Sequence, residues 1–367
     1  MRPRFLLLLL SALLAPRGVA AQRPALALQP ANASVDEAFT RILSVRELTD
    51  GRVLVTDDRD NRLVIADMKA GTVASIGRVG GGPGEFAAAG RLVQLPMDST
   101  LLLDPGHGAR WLLLVGARIA ATVPPTDAGL RAAGVSIYGA DARGRVLSGR
   151  PLPGVRLPSG VRRGGAALLL VDRSTGRADT MATVRGEESL SRVSGAPERP
   201  VHMTYQVIFA APEQAILFPD GWAAVVLQEP YRVDWHSPVG RTIHGSPLPW
   251  TIVRVTDREK TAWANRVRRQ LGPNRTLNLQ ELPWAEVMAP YRDDSLLPMP
   301  DGSLLILRAQ WSGASDTEYD VVNRRGTRIR TLQMPWNERI VGFGAGSVYV
   351  AAADADGVEH LRRHPWR

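Results

Sequence analysis

Residues 50–86 read DGRVLVTDDRDNRLVIADMKAGTVASIGRVGGGPGEF. Asp50-Gly51 separates two apolar alternating runs, Arg41 to Leu48 and Arg52 to Thr56. Asp-Gly in that setting is a strong hairpin signal, because the turn needs a positive φ that glycine adopts without steric cost. Asn61 opens a third run, Arg62 to Ala66, and Gly71 turns into a fourth, Thr72 to Ile76. Short runs of period-two alternation predict strands, so this stretch predicts three strands joined by tight turns, and with Arg41 to Leu48 before it a four-stranded antiparallel sheet.

The pattern recurs to the C-terminus. A second copy has Leu92 to Leu95, Thr100 to Asp104, Trp111 to Val115 and Ile119 to Val123. A third has Val135 to Tyr138, Gly144 to Leu147, Ala167 to Asp172 and Thr180 to Val184, interrupted by Pro151 to Gly165, which reads as an exposed loop. A fourth has Ala215 to Phe218, Ala223 to Leu227, Tyr231 to His236 and Arg241 to His244. A fifth has Ser295 to Met299, Leu304 to Leu307, Tyr319 to Asn323 and Thr327 to Leu332. A sixth has Arg339 to Phe343, Ser347 to Ala352 and Val358 to Arg362. Repeated four-stranded units predict an all-β fold, a six-bladed β-propeller with four-stranded antiparallel blades. The last copy lacks an outer strand. An unpaired edge is an aggregation hazard that a closed ring removes, and Ala25 to Leu28 is expected to supply the missing strand.

One segment breaks the rhythm. Thr256-Asp-Arg-Glu259 fits a capping box, Trp263, Val267 and Leu271 follow at helical spacing, and Gly272-Pro273 stops the run. A second short helix is expected from Pro283 over Trp284 to Met288. Residues 256–292 thus form a helical insertion between blades four and five, its apolar stripe on the propeller or its body over one mouth of the channel.

The N-terminus is read as a secretory signal. Arg2 and Arg4 precede the apolar run Phe5 to Leu14, and Val19-Ala20-Ala21 offers small residues for cleavage. The expected organisation is a signal peptide over 1–21 and one domain over 22–367, exported to the periplasm or beyond. The chain has no cysteine, so packing and strand pairing must stabilise it. The formal net charge is +9, of which Arg2, Arg4 and Arg17 supply three. The remaining arginines are scattered among Asp and Glu, unlike the one-faced charge of a nucleic-acid binder, so no nucleic-acid partner is expected. Nor is a membrane span. A monomer is expected.

The chemistry-bearing clusters read mostly as structure. Gly80 to Gly84 is followed by Glu85-Phe86 and not by the Lys-Ser/Thr of a phosphate loop, so it reads as a corner between blades, with Phe86 plugging the gap. Asp57, Asp58 and Asp60 form the densest oxygen cluster and are the metal candidates, with calcium the expected ion if any; Arg59 in their midst favours a turn. Asp354 and Asp356 read as another turn. His107, His202, His236, His244, His360 and His364 form no zinc motif. No nucleophile elbow or thiol is present, so no catalytic residue or cofactor is assigned.

Gly51 to Asp57, Asn61 to Ile65, Gly71 and Gly82-Pro-Gly-Glu-Phe86 together resemble one NHL-type repeat. The chain is similar to secreted bacterial six-bladed β-propellers, largely uncharacterised, whose first blade ends in such a corner. The resemblance implies the fold and leaves two function classes. One is a binding or scaffold propeller using a channel mouth and its loops, with a protein, peptide or envelope polymer as partner. Arg-rich segments at 156–163 and 258–269 suit an anionic polymer. The other is a hydrolase or lyase, lactonase-like or NHL-lyase-like, with a metal in the channel. Its inner strands would carry several inward Asp, Glu, Asn or His side chains. The inner strands here are mostly apolar, with Glu47 an isolated exception, which favours binding.

Overall fold

The computed structural model describes residues 28–106, 110–123, 136–194, 199–271, 278–310 and 316–366. The signal peptide, most of Ala25 to Leu28, and His107 lie outside them. Within them the chain is nearly all β, with one helix.

The alternating runs are strands, taken here in chain order. After β1 (Ala33–Ser34), the first sheet holds β2 (Ile42–Glu47), β3 (Val53–Asp57), β4 (Arg62–Asp67) and β5 (Thr72–Ser75). A short parallel pair follows, β6 (Arg78–Val79) with β7 (Glu85–Phe86). The second sheet is β8 (Leu92–Gln94), β9 (Ser99–Asp104), β10 (Arg110–Val115) and β11 (Arg118–Val123). The third is β12 (Ile137–Ala140), β13 (Arg145–Arg156), β14 (Arg162–Asp172), β15 (Ala178–Ser194) and β16 (Val201–Gln206). The fourth is β17 (Gln214–Leu217), β18 (Ala223–Gln228), β19 (Tyr231–His236) and β20 (Thr242–His244), followed by helix α1 (Asp257–Leu271). The fifth is β21 (Tyr291–Pro298), β22 (Leu304–Arg308), β23 (Asp316–Val322) and β24 (Arg328–Pro335). The last is β25 (Glu338–Gly344), β26 (Ser347–Ala353) and β27 (Glu359–Pro365), with β1 on its outer edge.

The first strands of these sheets touch in a closed cycle: β2 meets β8, β8 meets β12, β12 meets β17, β17 meets β21, β21 meets β25, and β25 returns to β2. The core follows the same cycle, each apolar cluster being shared by two neighbouring sheets. Phe218 and Trp235 of the fourth sheet meet Leu304 and Ile306 of the fifth, and Tyr349 of the last meets Val53 and Val55 of the first. In the first sheet burial peaks at the second strand and falls toward the outer edge. β3 is buried at every residue, whereas β5 is largely exposed. A middle strand packed on both faces has no solvent side, which is why Val53-Leu-Val55 carries no polar alternation.

The turns follow the sequence signals. Gly51 has φ +85°, and its amide donates to Leu48 O at 2.9 Å, while the Asp50 carboxylate accepts from the Arg52 amide at 3.0 Å. Asp220-Gly221 and Asp301-Gly302 repeat this turn, with φ +86° and +81° at the glycines.

Three expectations are corrected. The third sheet has five strands, not four: Pro151 to Gly165 is no loop but prolongs β13 and β14 into a hairpin that turns at Leu157–Gly160, and β16 pairs with the far part of β15. The ladder shifts register between Leu152 and Val155, so the missing amide of Pro153 falls where pairing is already interrupted. The outer strand of the last sheet is Ala33–Ser34, further along than expected. Asn32 N donates to Arg363 O at 2.9 Å and Phe39 N to Glu359 O at 2.9 Å, so the tie continues beyond the strand itself. The run after Pro283 is not helical. Trp284 bridges Ile208 and Val287 bridges Arg254, so tertiary pairing overrides local propensity.

Candidate functional site at the mouth of the ring

The residues expected to bind metal sit in a turn whose oxygens are already engaged. Asp57 Oδ2 accepts from Thr40 N at 2.7 Å, and its Oδ1 accepts from Arg59 N at 3.0 Å and Asp60 N at 3.1 Å. Asp58 Oδ1 accepts from Arg41 Nε at 2.6 Å, and Asp60 Oδ2 from the Thr40 hydroxyl at 2.8 Å. The donor set does not fit calcium, which needs free oxygens converging on one point. The cluster anchors the start of β2 onto the end of β3. Among the described residues no three His, Asp or Glu side chains converge to hold a metal.

The glycine corner is closed by its own acid. Glu85 Oε2 accepts from Gly82 N at 2.7 Å, and Arg78 Nε donates to Glu85 Oε1 at 2.6 Å. A carboxylate thus fills the amide nest that a phosphate loop would leave open. Phe86 is buried between the first two sheets against Leu54, Leu63 and Leu102. Glu47 is likewise structural: it takes the Tyr349 hydroxyl and the Ala345 amide, at 3.0 Å, across the seam between the first and last sheets. The histidines are dispersed. His244 Nδ1 lies 2.8 Å from Asp234 Oδ2 on the fourth sheet's outer strands, and His364 Nδ1 is 2.8 Å from Gln29 O.

Polar and charged groups converge elsewhere, at the leading ends of the first strands. Arg41 precedes β2, Arg91 precedes β8, Tyr138 sits on β12, Gln214 opens β17, and Arg339 is on β25. Into this mouth β21 projects a bulge. Its ladder pairs Tyr291 with Arg308 and next Leu296 with Ile306, so residues 292–295 leave the sheet. Gln214 clamps the loop: its Nε2 donates to Arg292 O at 2.7 Å, and its Oε1 accepts from Ser295 N at 3.1 Å. Asp294 adopts φ +53°, a left-handed conformation that aspartate tolerates better than most residues. From there its carboxylate meets Arg91 at 2.8 Å. Since β8 and β21 are three steps apart in a six-member cycle, this ion pair spans the ring.

Arg292, Asp293 and Asp294 all reach solvent, yet protein surrounds them. Burial lowers the Arg292 pKa, and the like charges of Arg266, Arg339 and Arg41 lower it further. Burial likewise raises the Asp293 carboxyl above its usual range, with Asp294 and Glu187 adding to the rise and Arg91 opposing it. The Tyr138 hydroxyl is raised by burial and by Asp293, Asp294 and Glu187. The mouth therefore has two electrostatic sides. Arg292 faces a basic group, and Asp293 faces an acidic one.

The insertion reaches the same place. Arg266 of α1 contributes to the field at Arg292, so the helix stands by this mouth. Glu259 reaches back to the Thr256 amide at 3.1 Å, the expected capping box. Trp263 stacks edge-on against Trp284 at 5.3 Å, and Phe209 lies 5.8 Å from Trp284, tying the helix to the chain leaving β16. Of the Arg-rich segments, Arg163 pairs with Glu188 at 2.6 Å on the third sheet's extension, and Arg268 bonds Asn265 at 3.1 Å within the helix.

Sequence reading missed Arg292, Asp293 and Asp294. The fifth copy reads as starting at Ser295, whereas β21 starts at Tyr291. The available signal was the Arg-Asp-Asp triplet directly between Tyr291 and an apolar strand.

No family model matches the chain, and no curated protein matches it. Among solved structures it is similar to a member of the DUF4221 family from Bacteroides vulgatus, at 8% identity over 92% of this chain and 97% of that one, TM-score 0.46. It is similar to the calcium-binding protein regucalcin from Agrobacterium tumefaciens, at 11% identity over 92% and 96%, TM-score 0.38. It is also similar to virginiamycin B lyase from Staphylococcus aureus, at 10% identity over 89% and 95%, TM-score 0.41. Identities this low carry no residue-level correspondence, so the chemistry of the mouth rests on the geometry above.

Proposed function

We propose that the chain is an exported six-bladed β-propeller, its sheets the blades, and that it is a binding protein whose ligand seats in the mouth at the leading ends of the inner strands. The observation that carries this is the β21 bulge. An inner strand that leaves its ladder to place Arg292, Asp293 and Asp294 at the axis gives up backbone pairing for exposed charge. Structure alone gives no reason for that; recognition does. The partner is a peptide, a protein segment or an envelope polymer reaching the axis.

The test is a crystallographic soak with a mixed set of neutral, anionic, cationic and zwitterionic fragments. Hits should concentrate beside Arg292 and Asp293. Hits concentrated on the outer strands, with the mouth empty, would refute the reading.

A second reading, a hydrolase or lyase, is favoured by one feature: burial, with Asp294 and Glu187, raises the Asp293 carboxyl above its usual range, so it holds a proton more readily, beside Arg292. Turnover of a lactone panel that Asp293→Asn abolishes would establish it; no turnover would leave the binding role.

A further inference from the structure

Arg292 and Asp293 are adjacent residues of opposite charge that do not pair with each other. Among the described residues the Arg292 guanidinium meets no carboxylate, whereas Arg41, Arg91 and Arg339 at the mouth each have one. Arg41 pairs with Asp58, Arg91 with Asp294, and Arg339 with Glu359 at 2.8 Å. Asp293 is the mirror case. Its carboxylate accepts from the Asp294 amide at 2.9 Å, and among the described residues no cation pairs with it. Nearby, Glu187 accepts from Gln206 Nε2 at 2.7 Å, a neutral donor.

Each unpaired charge stands mostly among charges of its own sign, the exception being Arg91 near Asp293, which is itself paired with Asp294. Arg266, Arg339 and Arg41 come from α1, β25 and the lead into β2, and they surround Arg292. Asp294 and Glu187 come from the bulge and β15, and they flank Asp293. Holding opposite charges apart while gathering like ones is unfavourable in the free protein. A ligand with one charge would relieve one side and be repelled by the other, and a ligand bearing both would relieve both.

We infer that the mouth takes a zwitterionic ligand, its oxyanion on Arg292 and its ammonium on Asp293 and Glu187. A short peptide with free ends has this chemistry. The inference rests on the mouth being the binding site.

The test uses the mature protein and three probes: alanyl-alanine, its N-acetyl form and its C-terminal amide, measured by calorimetry. Losing one charge-assisted contact should weaken binding about tenfold, so the free dipeptide should exceed either blocked form by that factor. Arg292→Gln should erase its advantage over the amide, and Asp293→Asn its advantage over the acetylated form. Both side chains reach solvent, so both variants should fold: Arg292→Gln should melt close to the parent, and Asp293→Asn no lower than the parent. Equal binding of the acetylated and free dipeptides would overturn the inference in favour of a plain oxyanion site. Failure of all three probes would overturn it too, and fragments found in the mouth by the soak would then still support the binding role.

Discussion

Arg91 and Asp294 form a 2.8 Å ion pair between the second and fifth sheets, on opposite sides of the ring. The Asp294 side chain is 67% exposed, so the pair adds little to global stability, about 0–1 kcal/mol. Its effect is local, since it holds the outer end of a bulge that Gln214 holds at its base. Arg91→Ala should leave the unfolding midpoint within about 1 kcal/mol of the parent. Amide exchange at 292–295 should speed up markedly, since opening of that loop alone no longer breaks the cross-ring contact. Unchanged exchange in the loop would show that Gln214 alone fixes it.

Asp293 should trade stability for function. Its carboxyl is raised by burial and by Asp294 and Glu187, so the folded state binds a proton more tightly than the unfolded chain. The sign follows: the charged form is disfavoured by folding, and stability falls as pH rises from the unfolded value through the folded one. Asp293→Asn should therefore raise the melting temperature at pH 7. The gain should vanish as pH falls below the ordinary carboxylate range, where both states are protonated. A gain that persists at acid pH would assign the effect to something other than charge.

Phe86 tests the corner. Its ring is 1% exposed and fills the seam between the first and second sheets. Phe86→Ala should destabilise by about 3–5 kcal/mol, the cost of a large cavity in a rigid seam. Chemical denaturation should show this as a lower midpoint at unchanged slope.

What the sequence made legible followed from local periodicity. Asp50-Gly51 and Gly71 mark turns because backbone conformation there is a property of the residue itself, and each does turn as expected. The acidic turn at Asp57 was readable for the same reason, its amide partners lying mostly within three residues or in the preceding linker. The bulge was not readable. Arg292 and Asp293 leave the ladder where Gln214, 78 residues earlier in the chain, holds the backbone at Arg292. No local pattern encodes that contact. Pro151 to Gly165 failed differently: its proline and glycine content signals a loop, and the pairing with β14 and the register shift at Leu152 overrule it.

Asp104 offers a sharper test of how neighbouring sheets are joined. Its side chain is fully buried at the end of β9 and accepts from Ala88 N at 3.0 Å, Gly106 N at 3.1 Å and Arg110 Nε at 2.9 Å. Burial alone would raise this carboxyl, but the Ala87, Ala88 and Gly106 amides and the Arg110 guanidinium outweigh it and hold it below its usual value. A depressed folded value contributes stability above the unfolded value, and that contribution is lost as pH falls through the folded one. Asp104→Asn keeps the shape, removes the charge and turns an amide donor toward backbone N–H groups. It should cost about 1–3 kcal/mol at pH 7. The parent should approach the variant as pH falls below 4, because the parent alone loses the ionised acceptor. Parallel stability curves from pH 7 to pH 2 would show that the charge at Asp104 does not join the linker to the second sheet.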